Sequence, residues 1–333
     1  MTAQPLRAAI VLAALLAALL LAACGEKSED ATGQPQPFTL TLDFYPNPDH
    51  AGIYMAEQLG YFEEAGLDVS IQTPSDPAAP IKQVAAGQTD LAISYEPEVV
   101  LAAEQGLDVL AVGALVDHPL TSLIWLKEAK IGGIADLRGK TIATAGIPYQ
   151  DAYLETILSR AGLAPSDVKT VNVGYGLLPA LVGGRADAML GGFRNVEGVD
   201  LRLRGKAPVV TPVDRLGVPT YDELVLVANR ESLEDDPERV RVFLAALARG
   251  TAAAIERPNE AVKALLDANP DLDPRLTRAE VDATLPLLSR DGRMDAAAWS
   301  RFVAWMREND QISGQPEPAD LLSNDYLLGR IPE

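Results

Sequence analysis

The sequence predicts an α/β protein built as two lobes, and three observations carry that expectation. Short apolar or period-two runs alternate with helical runs from Phe38 to Ala228. The alternation restarts after a glycine-rich break at Ile131 to Lys140, and the chain beyond Val240 reads as nearly all helix. Strands alternating with helices imply a largely parallel sheet, and 333 residues suit two lobes of ordinary size.

Residues 1–23 read as a secretory leader. Arg7 is the only charged side chain there, and Ala8 to Ala22 is an apolar run of about fifteen residues, short of the roughly twenty that span a bilayer. Leu21-Ala22-Ala23 ahead of Cys24 has the small-residue pattern of a bacterial lipobox, whose cysteine is acylated after cleavage. Cys24 is the one cysteine in the chain, so no intramolecular disulfide is possible. Lipid on Cys24 would hold an exported chain at a membrane. Residues 24–37 are polar, with Gly33, Pro35 and Pro37, and read as a flexible tether.

The first lobe is expected over 38–126. Phe38-Thr39-Leu40-Thr41-Leu42 alternates as a strand, and Ile53, Met55, Ala56 and Leu59 mark a helix stopped by Gly60. Strands follow at Leu67 to Ile71 and Asp90 to Ser94, with a helix at Ala79 to Ala86 between them. A helix over Glu98 to Gln105 leads to apolar strands at Val109 to Val116 and Ser122 to Leu126. The second lobe is expected over 127–223. It has strands at Leu137 to Ala143, Val168 to Val173, Ala186 to Leu190 and Val209 to Thr211, with helices at Ala152 to Arg160 and Leu177 to Val182. Leu224 to Ala228 reads as a strand returning to the first lobe, which would resume over 224–333. Hinges are expected near Leu126 to Ile131 and Leu216 to Glu223, which makes a two-segment connection. Val240, Phe243, Leu244, Leu247 and Ala248 repeat with the period of a buried helix face, as do Trp299, Phe302, Val303 and Met306, so these read as core rather than a cofactor box.

Composition and motifs narrow the function. A net charge of −19 argues against nucleic acid and anionic surfaces as partners. The chain has no Gly-x-Ser-x-Gly elbow, no phosphate loop and no His-Glu-x-x-His helix, and His50 and His118 are its two histidines. One cysteine and two histidines cannot assemble a structural zinc site. The expectation is a non-enzymatic binder with no cofactor or metal.

Polar and aromatic side chains collect where strands end, the place where open α/β sheets bind ligands. The segment Asp43 to Tyr54 carries more such equipment than a tight turn needs: Asp43, Tyr45, Asn47 and His50 are candidate ligand residues. Tyr95 and Glu96 follow another strand, with capping of the next helix as the alternative reading. Gly191-Gly192-Phe193-Arg194-Asn195-Val196-Glu197-Gly198 follows a third, with Phe193, Asn195 and Glu197 as candidates and a surface turn as the alternative. Tyr221 precedes the returning strand and faces the cleft, unless its acidic neighbours mark a solvated loop. The rings of Tyr45, Tyr95 and Phe193 suit a flat heteroaromatic ligand. Asp43, Glu96 and Glu197 suit exocyclic amino groups or a protonated ring nitrogen. An oxyanion would call for convergent cations, of which these loops offer only Arg194.

Asp43 to Tyr54, then Gly60 to Val69 and Gly87 to Ile93, resemble the thiamine-precursor binders of the NMT1/THI5-like and SsuA-like proteins. The resemblance runs from about Phe38 to the C-terminus. It implies a bilobal periplasmic-binding-protein fold of type II, monomeric, exported and anchored at the outer face of the cytoplasmic membrane or in the periplasm. It also implies a partner ABC permease and ATPase, with an aminomethyl- or hydroxymethyl-pyrimidine as ligand. Relatives bind riboflavin, aliphatic sulfonates or nitrate, and these are the alternatives. Arg194 stands where the resemblance leads one to expect a second aromatic, and Phe44 or Tyr45 where tryptophan is frequent. One fungal branch is a pyrimidine synthase that uses pyridoxal phosphate and a histidine of its own chain. Where that branch has its lysine, histidine and cysteines, this chain has Ser94, Glu98 and Tyr221 to Leu224.

Overall fold

The computed structural model describes residues 35–327. The leader, Cys24 and nearly all of the expected tether lie outside the described residues. Ten strands make two mixed five-stranded sheets of the expected two-lobed α/β kind.

The first sheet has the order β2-β1-β3-β10-β4, with β1 at Gln36–Thr41, β2 at Leu67–Gln72, β3 at Leu91–Ser94, β4 at Val109–Val116 and β10 at Leu224–Asn229. β1 and β3 run parallel, with Leu40 beside Leu91. β10 lies antiparallel between β3 and β4, so the returning strand joins the first sheet. The second sheet has the order β7-β6-β8-β5-β9, with β5 at Thr121–Leu126, β6 at Thr141–Thr144, β7 at Lys169–Asn172, β8 at Ala188–Phe193 and β9 at Pro208–Pro212.

Two expectations need correction. Thr121–Leu126 was expected in the first lobe, yet β5 pairs antiparallel with β8 and β9 of the second sheet. The chain therefore first crosses at 117–120, not at Leu126 to Ile131. The lobe boundary falls between Val116 and Thr121 rather than at 126. A second strand only four residues after the first reads as its hairpin partner, but these two run into different sheets. Gly191-Gly192-Phe193, expected as a loop, belongs to β8. Gly192 pairs with Ser122 and Leu190 with Leu123, which leaves Gly191 as the extra residue of a bulge. Its φ of +107° favours glycine, and a Cβ there would meet Gln150 Nε2 at 2.3 Å.

Helices cover the sheets. α1 (Ala51–Gln58), α2 (Tyr61–Glu64), α3 (Pro80–Ala85) and α4 (Glu96–Glu104) belong with the first strands. α5 (Tyr149–Ser159), α6 (Leu177–Val182) and α7 (Glu197–Leu203) belong with the second sheet. α8 (Arg230–Asp235), α9 (Pro237–Glu256), α10 (Pro258–Ala268), α11 (Pro274–Thr284) and α12 (Ala296–Glu308) follow β10. Val240, Phe243, Leu244 and Leu247 of α9 are buried, as are Trp299, Phe302, Val303 and Met306 of α12, so the helical spacing did mark core. Phe243 stacks between Phe38 and Phe62 at centroid distances of 4.7 and 5.0 Å.

The helix that follows the polar strand-end segment is held by a close backbone crossing. α1 packs against α9 where Gly52 meets Gly250. A Cβ on Gly250 would fall 2.2 Å from the Gly52 carbonyl oxygen, and one on Gly52 would fall 2.3 Å from Thr251 Oγ1. Gly250→Ala is expected to destabilise the fold by about 1–3 kcal/mol, the usual range for overpacking. Urea unfolding measures this, and an unchanged midpoint would contradict the crossing.

Candidate functional site

Asp43 follows β1 at the carboxyl end of the strand and is 1% exposed. Its Oδ1 meets His50 Nε2 at 2.9 Å, and its Oδ2 accepts from the Tyr95 hydroxyl at 2.9 Å. The Asn47 amide donates to His50 Nδ1 at 3.3 Å, which puts the imidazole proton on Nε2, pointing at Asp43. The turn Pro48–His50 is local in origin: Asn47 Oδ1 caps it by accepting from the Asp49 amide at 2.9 Å. Asn47 Nδ2 donates back to the Tyr45 carbonyl at 3.1 Å. Sequence-local hydrogen bonds thus fix the whole segment between β1 and α1.

A narrow slot opens beside Asp43 and draws on both lobes. From the first come Asp43, Phe44, Asn47 and Tyr95; from the second come Ala145, Ile147, Tyr149, Gly191, Phe193, Val196 and Glu197. Its walls are mostly rings and aliphatic groups. Its polar termini are two buried carboxyls that approach from opposite lobes. Glu197, in the first turn of α7, accepts from the Phe193 amide through Oε2 at 2.7 Å and from the Tyr45 hydroxyl through Oε1 at 3.4 Å. Burial raises the Glu197 carboxyl above its ordinary value, although these hydrogen bonds oppose the rise. Burial, and then the charge of Asp43, push the Tyr95 hydroxyl far up, so it stays a donor to Asp43.

The other expected residues stand farther back. Tyr45 lies on the far side of Glu197 from the slot, packed against Phe44 and Tyr175. His50 acts on the slot only through Asp43. Asn195 Nδ2 donates at 2.8 Å both to Asp49 Oδ1 and to Thr284 Oγ1, and so ties the lobes rather than lining the slot. Burial, and then the charge of Asp43, push the Asp49 carboxyl well above its ordinary value. Tyr175 Oη adds another tie by donating to the Pro74 carbonyl at 2.6 Å. Together with Tyr45–Glu197, these bonds span the cleft, and the lobes stand closed on one another.

Glu96 and Tyr221 belong to the hinge. Glu96 Oε2 accepts from the Asp222 amide at 2.7 Å, and burial followed by the nearby Asp222 charge raises it well above its ordinary value. Tyr221 donates to Glu223 Oε2 at 2.9 Å. That same oxygen accepts from the Leu120 and Thr121 amides at 2.6 and 2.7 Å, while Oε1 accepts from the Thr121 hydroxyl at 2.7 Å. Glu223 is therefore a staple between the two crossing segments. Tyr149 was not foreseen as a slot residue. Its signal was available: like Tyr95 it starts a helix soon after a strand, here two residues past Ile147. From Tyr95 the rings continue through Tyr149, Tyr153, Tyr221 and Phe302 at centroid spacings of 5.4, 4.9, 5.5 and 5.3 Å. One aromatic column joins slot, hinge and α12.

A second cavity lies across the Tyr45–Glu197 contact. It is lined by those two residues with Tyr175, Asp200, Asp273 and Glu280 among others. Among the described residues there is no group of three or more His, Cys, Asp or Glu side chains placed to hold a metal ion, and no helix is long and apolar enough to cross a membrane.

The hinge generates a pH dependence. Burial pushes Asp222 up to about 6, and the hydrogen bond from Trp299 Nε1 at 2.7 Å opposes that rise. The folded pKa lies above the unfolded value of about 3.9, so the fold favours the proton. The stabilisation from this group is complete below about pH 4 and is lost as pH rises through about 6. Asp222→Asn should remove that component, and the variant should gain on the parent protein between pH 4 and 6 by at most about 1.4 kcal/mol per pH unit. Urea unfolding across that range checks it; parallel pH profiles would contradict it.

Residues 47–261 match a family model described as NMT1/THI5 like. A putative thiamine biosynthesis protein of Haemophilus influenzae is 38% identical over 295 residues, covering 88% of this chain and 92% of that protein. A formylaminopyrimidine-binding protein of Halalkalibacterium halodurans is 34% identical, covering 93% and 96%. A 4-amino-5-hydroxymethyl-2-methylpyrimidine phosphate synthase of Legionella pneumophila is 32% identical, covering 76% and 80%. Among solved structures, the alkanesulfonate-binding protein SsuA of Xanthomonas axonopodis superposes with a TM-score of 0.69 at 17% identity, over 87% of this chain and 99% of that one. That likeness is one of fold, the periplasmic-binding-protein fold.

Proposed function

The chain belongs to the NMT1/THI5-like family, and from that premise we propose that it is an exported solute-binding lipoprotein which captures a thiamine pyrimidine precursor for an ABC importer. The observation that carries the reading is the slot. Two buried carboxyls, Asp43 and Glu197, face a narrow ring-lined space from opposite lobes. A planar aminopyrimidine has what such a space takes: two apolar faces to stack and amino groups at its edge to donate. A sulfonate or nitrate would put negative charge between two acceptors, with no Arg or Lys lining the slot.

Binding without chemistry is supported by the residues themselves. Ser94 and Glu98 stand where the resemblance leads one to expect the synthase's lysine and histidine, and no cysteine lies at Tyr221 to Leu224. The role is closure: a ligand that touches both lobes favours the closed form by its differential affinity for that form. The leader and Cys24 supply export and anchoring, and the importer's permease and ATPase would receive the closed, loaded protein.

Calorimetry against hydroxymethylpyrimidine, riboflavin, taurine and nitrate tests this. The expected result is binding of the pyrimidine at micromolar or tighter affinity, weakened at least about tenfold by Glu197→Ala, since one charged hydrogen bond is worth about 1.5–3 kcal/mol. Heat with taurine or nitrate alone would contradict the reading. Heat with riboflavin alone would keep the ring slot and change its occupant.

A further inference from the structure

The second cavity is larger than the slot. It encloses about 700 Å³ of empty space against about 370 Å³, counting space open to solvent. Val196 and Glu197 wall both, so the two are neighbours with a shared partition. Part of that partition is the Tyr45–Glu197 contact, which at 3.4 Å is long for a hydroxyl–carboxylate bond. Tyr45 is the most exposed member of that partition, at 36%.

The chemistry of the cavity is one-sided. Glu197 and Asp200 face it from α7, and Asp273 and Glu280 from α11 and its cap, with Asp49 close enough to act on Glu280. No Lys or Arg lines it, and Arg204 is engaged with Asp200. Glu280 is only 7% exposed, yet everything acting on it is burial or a like charge, with no hydrogen bond to offset them. Rings and aliphatic groups make most of the remaining wall, Tyr45, Tyr175, Leu178 and Leu276 among them, and Thr277 adds a hydroxyl. Carboxyls set among rings and aliphatic groups suit an organic cation.

We propose that this cavity is a cation subsite, taking a positively charged organic group carried by the ring that the slot holds, with Glu280 as its counter-ion and the Tyr45 and Tyr175 rings as its walls. The proposal rests on the slot being the ring site. It narrows the ligand class to aminopyrimidines whose exocyclic methylene carries a cation, such as a protonated amine or a quaternised ring. Burial and then the Glu197 charge push Glu280 up to about 9, so at neutral pH the empty subsite holds a proton. An arriving cation makes the carboxylate the favoured form, and one proton leaves to solvent as the ion pair forms.

The test is calorimetry on the wild-type protein and Glu280→Gln with two congeners, 4-amino-5-aminomethyl-2-methylpyrimidine and its hydroxymethyl counterpart, in buffers of different ionisation enthalpy. Choline serves as a cation without the ring. The variant should bind the aminomethyl congener at least about tenfold more weakly, an ion-pair loss of ordinary size, and the hydroxymethyl congener within about twofold. Aminomethyl binding to the wild type should release a proton, seen as buffer-dependent heat, and the variant should not. Equal loss for both congeners, or loss for neither, overturns the cation subsite and leaves the ring slot standing. Failure of both pyrimidines would instead count against the slot reading. In that event choline binding that vanishes in Glu280→Gln supports the subsite, and no choline binding overturns it.

Discussion

A buried carboxylate at the end of β1 sets the geometry of the site. Asp43 can sit almost wholly out of water because His50 and Tyr95 each donate to it at 2.9 Å, since a buried charge is tolerated only when hydrogen-bonded. Each donor is positioned in turn. His50 is fixed by the capped turn before α1, and Tyr95 by the start of α4. Removing any of the three would leave polar groups unpaired in a dry place, which costs more than the lost bond itself. One aspartate thus couples strand, turn and helix into the rigid floor of the slot.

The opposing wall is built on different principles. Glu197 reaches the slot from the first turn of a short helix, where its charge is favoured by the helix terminus and by the Phe193 amide. Gly191, the bulge residue of β8, packs closely on Gln150, and Phe193 and Glu197 beyond it line the slot with Asp43. The cross-cleft bonds of Tyr45, Asn195 and Tyr175 are few, and none joins oppositely charged side chains. Closure that rests on so little protein–protein attraction leaves room for a ligand to decide the equilibrium. The two crossings are instead tied to each other: Glu223 bonds to both, and the aromatic column runs alongside them.

What the sequence made legible was local. Alternation marked β1, helical spacing marked the cores of α9 and α12, and the crowding of polar and aromatic groups after β1 pointed to the slot before any geometry was known. Asp43, Asn47, Tyr95, Phe193 and Glu197 are brought together there. What it hid was pairing. Nothing in Thr121–Leu126 says that its partner is β8 rather than the strand just before it, because strand partners are set by long-range register. The same ignorance of partners made Glu96 and Tyr221 look like ligand groups, when their hydrogen bonds go to the hinge. Glu280 gave no signal at all: a glutamate on an amphipathic helix reads as a solvated face until the cavity beside it is seen.

The central claim, that two lobes close on a flat aminopyrimidine, is met most directly by native mass spectrometry of the protein as purified. The account predicts one bound small molecule, with the mass of an aminopyrimidine, that is retained in the folded chain and released on acid unfolding. A bound alkanesulfonate or other oxyanion would contradict it.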